Sequence, residues 1–126
     1  MWIDTHAHLD DDRFAADLPA VLARAAEMGY SVSAAAEFEF FVFDETPHSV
    51  REKRYRDLRS ITPGFFGYSM LRAGVHADFY KDLLDTCRAM DMEIEGLHTE
   101  TGPGVLEAAL RVDDALAMAD KAALFK

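Results

Sequence analysis

The chain has 126 residues, half of them hydrophobic, which favours a single domain with a small core. Its formal charge of -10 would repel nucleic acid and anionic lipid, so we expect neither as a partner. One cysteine, Cys87, excludes an intramolecular disulfide, and no apolar stretch approaches the roughly 18 residues that span a membrane. The N-terminus lacks the pattern of a secretory signal, so we expect a soluble, cytoplasmic protein.

Apolar periodicity and turn residues predict strands that alternate with helices. In chain order, the predicted elements are a strand at 2–6, a helix at 18–28 capped by Asp17, a strand at 32–43, a helix at 77–91, a strand at 93–100, a turn at 101–104, a strand at 105–110 and a helix capped by Asp113 that runs to about residue 124. Residues 44 to 75 show no clean period and are expected to be irregular.

This order, βαβ…αββα, predicts an α+β fold of the ferredoxin-like kind. We expect a two-layer sandwich in which about three helices cover one face of a mixed sheet of about four strands. The first strand, helix and second strand would form a right-handed parallel crossover. Residues 1–126 would form one domain.

Four glutamates sit at strand spacing. Glu37 and Glu39 lie two residues apart, so both point to one face of their strand, while Glu100 and Glu107 flank a Gly-Pro-Gly turn. Should that hairpin lie beside the Glu37 strand, four carboxylates would converge, and Mg²⁺ or Mn²⁺ would neutralise them. His98 alternates onto the Glu100 face and is a further candidate ligand. The alternative is that this face is solvent-exposed and the glutamates are ordinary surface charge.

The stretch from about residue 20 to 126 resembles the start of a glutamine synthetase catalytic domain. The resemblance rests on Ala-Glu-Phe-Glu-Phe-Phe-Val-Phe-Asp-Glu, on Thr-Pro-Gly-Phe-Phe-Gly-Tyr-Ser and on Glu-Gly-Leu-His-Thr-Glu-Thr-Gly-Pro-Gly-Val-Leu-Glu. The last of these looks most like the branch that includes glutamine synthetases and γ-glutamylpolyamine synthetases.

The resemblance implies ATP-dependent amide formation through a γ-glutamyl phosphate, assisted by Mg²⁺ or Mn²⁺ that the fold itself does not require. By position, Glu39 and Glu107 would hold the metal near glutamate and ammonia, and Glu37 and Glu100 the metal near the nucleotide phosphates. The family's later histidine, arginines and remaining metal-binding glutamate have no counterpart in this sequence. We therefore expect metal binding without complete catalysis. The alternative is a working glutamate–amine ligase that acts as an oligomer.

The first residues, Met-Trp-Ile-Asp-Thr-His-Ala-His-Leu-Asp, resemble the start of TatD-type metal-dependent deoxyribonucleases. That resemblance implies that His6 and His8 bind a metal, and it raises a metal-dependent hydrolase as a further alternative function. We interpret the chain as a chimera, TatD-like over residues 1–18 and glutamine-synthetase-like over 19–126, with the junction between about 14 and 22.

An apolar segment, residues 61 to 71, predicts self-association. If nothing covered Phe65, Phe66, Tyr68, Met70 and Leu71, they would form a patch that favours a homodimer, with exchange of an element between chains as one route. The alternative is that these residues fold back onto the sheet. The basic stretch 51–59 is expected to be a solvated or disordered loop.

Overall fold

A computed structural model describes residues 12–14 and 16–126. The predicted first strand, its parallel crossover and His6 and His8 lie outside the described residues, so these expectations stay predictions. The described residues fall into two compact units with a boundary between Ser33 and Ala34, and each unit is described by itself.

The described elements are five α-helices, one short 3-10 helix and five strands. The helices are the 3-10 turn Asp12–Phe14, α1 (Leu18–Glu27), α2 (Pro47–Glu52), α3 (Met70–Val75), α4 (Ala77–Ala89) and α5 (Ala115–Phe125). The strands are β1 (Ser33–Ala34), β2 (Glu37–Phe41), β3 (Ile94–Thr99), β4 (Val105–Leu110) and β5 (Asp113–Asp114).

Helix α1 dominates the described part of the first unit. Pro19 lies in its first turn, where a missing N–H costs little. Gly29 ends it with φ +79°, and Tyr30 donates back to the Ala25 carbonyl at 2.9 Å, the bonding expected after a left-handed glycine. Asp17 occupies the cap position, but its carboxylate makes no capping hydrogen bond.

The second unit contains a three-stranded antiparallel sheet in the order β2-β4-β3. The register places Glu39 opposite Glu107 and His98 opposite Glu107, so the three residues form a row across the sheet. The α+β sandwich is confirmed. The predicted sheet counted the strand at 2–6 as its fourth and parallel member, and that strand lies outside the described residues.

Alternation along the strands separates a core face from a polar face. Leu106, Ala108 and Leu110 of β4 are at most 1% exposed. Helix α4 contributes the buried thiol of Cys87 to the core, and α5 contributes Met118. At the end of α5, the ring of Phe125 stacks on Phe38 of β2 with centroids 4.8 Å apart. The opposite face is therefore left to the charged residues.

Residues 44 to 75 are more regular than expected. Helix α2 begins after Thr46, whose side chain accepts from the Ser49 amide at 3.1 Å, and Pro47 occupies its first turn. Helix α3 begins after Ser69, whose side chain accepts from the Arg72 amide. The expectation of an irregular segment was wrong. Helices of six residues are too short to show an apolar period, although the sequence contains the capping residues at their N-termini.

The basic stretch 51–59 is almost entirely exposed, and the carboxylate of Glu45 anchors it. The Glu45 side chain is 5% exposed. It accepts hydrogen bonds from the Lys53 ammonium, from Ser49 Oγ at 2.6 Å and from the Arg59 amide at 2.8 Å. These donors, Lys53 foremost, lower the pKa of Glu45 to about 2. The two ends of the turn at 53–59 are thereby tied to one carboxylate.

Two boundaries near the sheet differ from the prediction. The strand expected at 32–43 is interrupted at residues 35 and 36. The final helix is capped by Asp114, which accepts from the amides of Leu116 and Ala117 at 3.1 Å each. Asp113, the predicted cap, pairs instead with Lys121 at 2.7 Å.

No helix among the described residues is both long and apolar enough to cross a membrane.

Candidate metal centre

The hairpin β3–β4 contains the residues at the centre of the site, and hydrogen bonds of Gly104 fix its turn. Gly104 has φ +73°, a conformation that favours glycine. Its amide donates to the hydroxyl of buried Thr62 at 3.0 Å, and its carbonyl accepts from the Val42 amide at 2.8 Å. These bonds fix the turn between Glu100 and Glu107.

Three side chains on the polar face converge closely enough to share one cation. One ligand atom from each of His98, Glu100 and Glu107 lies within 4.8 Å of the other two. His98 Nδ1 is 3.5 Å from Glu100 Oε1, and His98 Nε2 is 3.9 Å from Glu107 Oε1. His98 lies on β3 and Glu100 directly follows the strand, so alternation brings both to one face, and the register places Glu107 opposite His98.

Two atoms of this group are buried without a hydrogen bond partner among the described residues, His98 Nδ1 and Glu100 Oε1. The side chains are 32% exposed for His98, 13% for Glu100 and 16% for Glu107. Buried polar atoms usually have partners, so an orphaned pair in a negatively charged group is suited to a cation.

The environment of Glu107 opposes its ionisation. Burial raises the pKa of this carboxyl above its ordinary value, and the negative charges of Glu37, Glu100 and Glu39 raise it further, while His98 opposes them. Because this repulsion acts between groups only a few ångströms apart, a divalent cation would relieve it.

Glu37 and Glu39 border this group rather than complete it. Glu39 lies directly across from Glu107, while Glu37 lies opposite Ala109. Both are exposed, which agrees with the alternative that they are ordinary surface charge. Both nevertheless raise the pKa of Glu107. The structure thus gathers His98, Glu100 and Glu107 tightly and places Glu37 and Glu39 at the border of the same face.

Tyr68 joins the site although the sequence placed it only in the apolar segment. Its ring centroid lies 4.7 Å from that of His98. A hydrogen bond to Glu100 raises the pKa of the Tyr68 hydroxyl. Tyr68 has φ +56°, and no alternation or spacing in the sequence indicates that a loop would bring this tyrosine to the glutamates.

Comparison with known proteins identifies the family of this chain. The family model described as glutamine synthetase, catalytic domain, matches residues 16–126. Because that match covers most of the chain, the chain belongs to the glutamine synthetase catalytic-domain family.

Relatives share this region. The chain is 43% identical over 90 residues to type-1 glutamine synthetase 2 of Dictyostelium discoideum, covering 71% of this chain and 17% of that protein. It is 36% identical over 106 residues to glutamine synthetase of Halobacterium salinarum, covering 84% and 22%. It is 30% identical over 103 residues to glutamate–isopropylamine ligase of a Pseudomonas species, covering 82% and 22%. The chain thus spans about a fifth of the length of the curated relatives it matches.

The glutamine synthetase resemblance is confirmed by these comparisons. The TatD resemblance and the chimera find no support in these comparisons, and they stay predictions. The division of the glutamates between two metals also stays a prediction, and the geometry groups Glu100 with Glu107 instead of separating them.

Proposed function

We propose that this chain supplies a divalent-metal centre of a glutamine synthetase catalytic domain and does not complete the ligase reaction by itself. The observation that carries the proposal is the convergence of His98, Glu100 and Glu107 within 4.8 Å. Family membership of residues 16–126 supports it independently.

The donor set fits a hard cation. Two carboxylates and one imidazole suit Mn²⁺ or Mg²⁺, and the imidazole adds some preference for softer metals such as Zn²⁺. His98, Glu100 and Glu107 would hold one ion, with Glu39 next in reach across the sheet. Bound there, the ion would screen phosphate charge and the negative charge that develops during acyl transfer.

Two cavities lined by described residues support incomplete catalysis. Their volumes are about 380 and 540 Å³, and neither has His98, Glu100 or Glu107 in its lining. A nucleotide and an amino acid must be held in register for phosphoryl transfer. A substrate held in either of these two cavities would not contact the three residues of the centre.

Calorimetric titration of Mg²⁺, Mn²⁺ and Zn²⁺ into metal-free protein tests the proposal. We expect saturable binding of Mn²⁺ and Mg²⁺, weakened in Glu39→Gln and unchanged in Glu52→Gln, whose exposed carboxylate pairs with His48 on α2. The absence of saturable heat with all three metals would overturn the proposal.

The second candidate is a working glutamate–amine ligase that acts as an assembly. The named activity of the Pseudomonas relative favours it. Release of ADP that depends on Mg²⁺, glutamate and an amine, and that is abolished in Glu39→Ala, would establish this second function. Its absence beside saturable metal binding would leave the first.

We also propose that the chain self-associates through the apolar segment. The exposure of this segment supports the proposal: Phe65, Phe66, Tyr68, Met70 and Leu71 are 60% to 86% exposed. Apolar surface of this extent is rare on monomers.

Sedimentation velocity checks the self-association. We expect a dimer that Met70→Lys with Leu71→Glu converts to a monomer, because charges at the centre of an apolar contact would be left unpaired. Leu116→Lys, at a residue of α5 that is 75% exposed, should leave the dimer intact. A monomer at every concentration of the wild type would contradict the proposal.

A further inference from the structure

Thr99 forms hydrogen bonds to the loop at residues 67–69, next to the proposed metal centre. It lies between His98 and Glu100 in sequence, so its side chain points to the opposite face of β3. It is 1% exposed. Its hydroxyl accepts from the Ser69 amide at 2.9 Å, and its carbonyl accepts from the Tyr68 amide at 2.6 Å. One residue therefore holds two successive amides of the loop.

The position of β3 makes this attachment available. In the order β2-β4-β3, β3 is the outer strand of the sheet, so its outward carbonyl and amide groups need partners. The Tyr68 amide in the loop at residues 67–69 provides one for the Thr99 carbonyl. Gly67 runs close to the strand, and a Cβ at that residue would lie 3.5 Å from the Glu100 carbonyl carbon.

The attached loop holds Tyr68 in a conformation that it would not adopt by itself. A tyrosine with φ +56° is in the left-handed region, which persists only where surrounding bonds enforce it. In this conformation the centroid of the Tyr68 ring lies 4.7 Å from that of the His98 ring.

We propose that Thr99 is a positioning residue, whose hydroxyl holds the Tyr68 ring against His98 so that the His98 imidazole is oriented toward the metal. The part that concerns metal affinity rests on the proposed function. The part that concerns the placement of Tyr68 does not. If the role of Thr99 were only structural, its buried hydroxyl would stabilise the local fold alone. Removing the hydroxyl would then leave Tyr68 and His98 in place.

Nuclear magnetic resonance of metal-free protein tests the placement. In the wild type we expect nuclear Overhauser contacts between the ring protons of Tyr68 and His98, together with a ring-current shift of the His98 protons that Tyr68→Ala removes. Thr99→Val removes the hydroxyl at nearly constant shape, and it should abolish the contacts. Thr99→Ser should restore them. If Thr99→Val does not fold, Thr99→Ala compared with Thr99→Ser isolates the same hydroxyl.

Titration of Mn²⁺ tests the consequence. Groups that orient metal ligands typically change affinity by about 10- to 100-fold, and since Thr99 acts through Tyr68 we expect a loss of about 3- to 10-fold in Thr99→Val. In a Tyr68→Ala background the same substitution should have no further effect.

Three results would overturn the inference: persistence of the Tyr68–His98 contacts in Thr99→Val, failure of Thr99→Ser to restore them, or an equal loss of affinity in both backgrounds. Failure of the proposed function is distinguishable, because a wild type that binds no metal would still report the ring contacts.

Discussion

Replacing Glu107 with glutamine is expected to raise the stability of the metal-free protein at pH 7 and to remove most of its stabilisation by Mn²⁺. Glu107 lies directly opposite Glu39, and like charges at such positions destabilise a sheet by about 0.2–1 kcal/mol. The neutral amide keeps the shape of the side chain and removes that repulsion, while the metal loses a charged ligand.

The pH dependence has a definite sign. Burial and the neighbouring glutamates raise the pKa of Glu107 in the folded protein, so the folded state holds its proton more tightly than the unfolded state. The stability contributed by this group is complete below the unfolded pKa, and it is lost as pH rises through the folded pKa. Metal-free Glu107→Gln should lack this loss, so its advantage over the wild type should be larger at pH 7 than at pH 4.

Urea unfolding at both pH values, with and without Mn²⁺, measures these effects. At an Mn²⁺ concentration 100 times the Kd, the wild type should gain about 2.7 kcal/mol, and a variant that binds at least tenfold more weakly should gain no more than about 1.4 kcal/mol. Glu52→Gln removes one exposed charge far from β4 and should behave as the wild type. Equal metal stabilisation in Glu107→Gln would show that Glu107 is not a ligand.

Gly104→Ala is expected to destabilise the protein by about 2–5 kcal/mol, as the sum of a left-handed conformation and a steric clash. A Cβ at this residue would lie 2.8 Å from the Val42 carbonyl oxygen and 3.0 Å from Ser60 Cβ. Neither contact is the end of a flexible side chain, so the backbone must shift. The shift would move the turn that joins Glu100 and Glu107.

Gly29→Ala is the matched control for that substitution. Gly29 has nearly the same backbone conformation, φ +79°, but a Cβ there would meet nothing within 4 Å. Gly29→Ala should lower the free energy of unfolding by only about 1 kcal/mol, the part of the effect that comes from the left-handed conformation. Urea unfolding at pH 7 compares the two variants. Equal losses would show that the contacts with Val42 and Ser60 contribute nothing.

The polar face was predictable because strand alternation is a strict geometric rule. Two glutamates spaced by one residue share a face whatever the rest of the fold does, and the Gly-Pro-Gly turn brings Glu100 and Glu107 onto adjoining strands. The membership of the tight group was less predictable. It depends on register, which places His98 rather than Glu37 beside Glu107.

The features that sequence reasoning missed depend on choices between near-equivalent partners. Asp113 and Asp114 are adjacent and both able to cap a helix, and Lys121 engages the first while the second caps. Tyr68 reaches the candidate metal centre because its loop forms hydrogen bonds to Thr99, a residue 31 positions away in the chain. Local propensity contains no information about such distant contacts.

The central strand β4 contributes to both faces of the sheet. Leu106, Ala108 and Leu110 fill the core, and Glu107, which lies between Leu106 and Ala108 in sequence, faces the candidate metal centre. Substitutions in this strand therefore cannot change the proposed metal affinity without also affecting the packing of the core. A substitution that shifts β4 to suit a new metal also disturbs the interior, so divergence within this lineage should concentrate on the border residues Glu37 and Glu39 and on the loop around Tyr68.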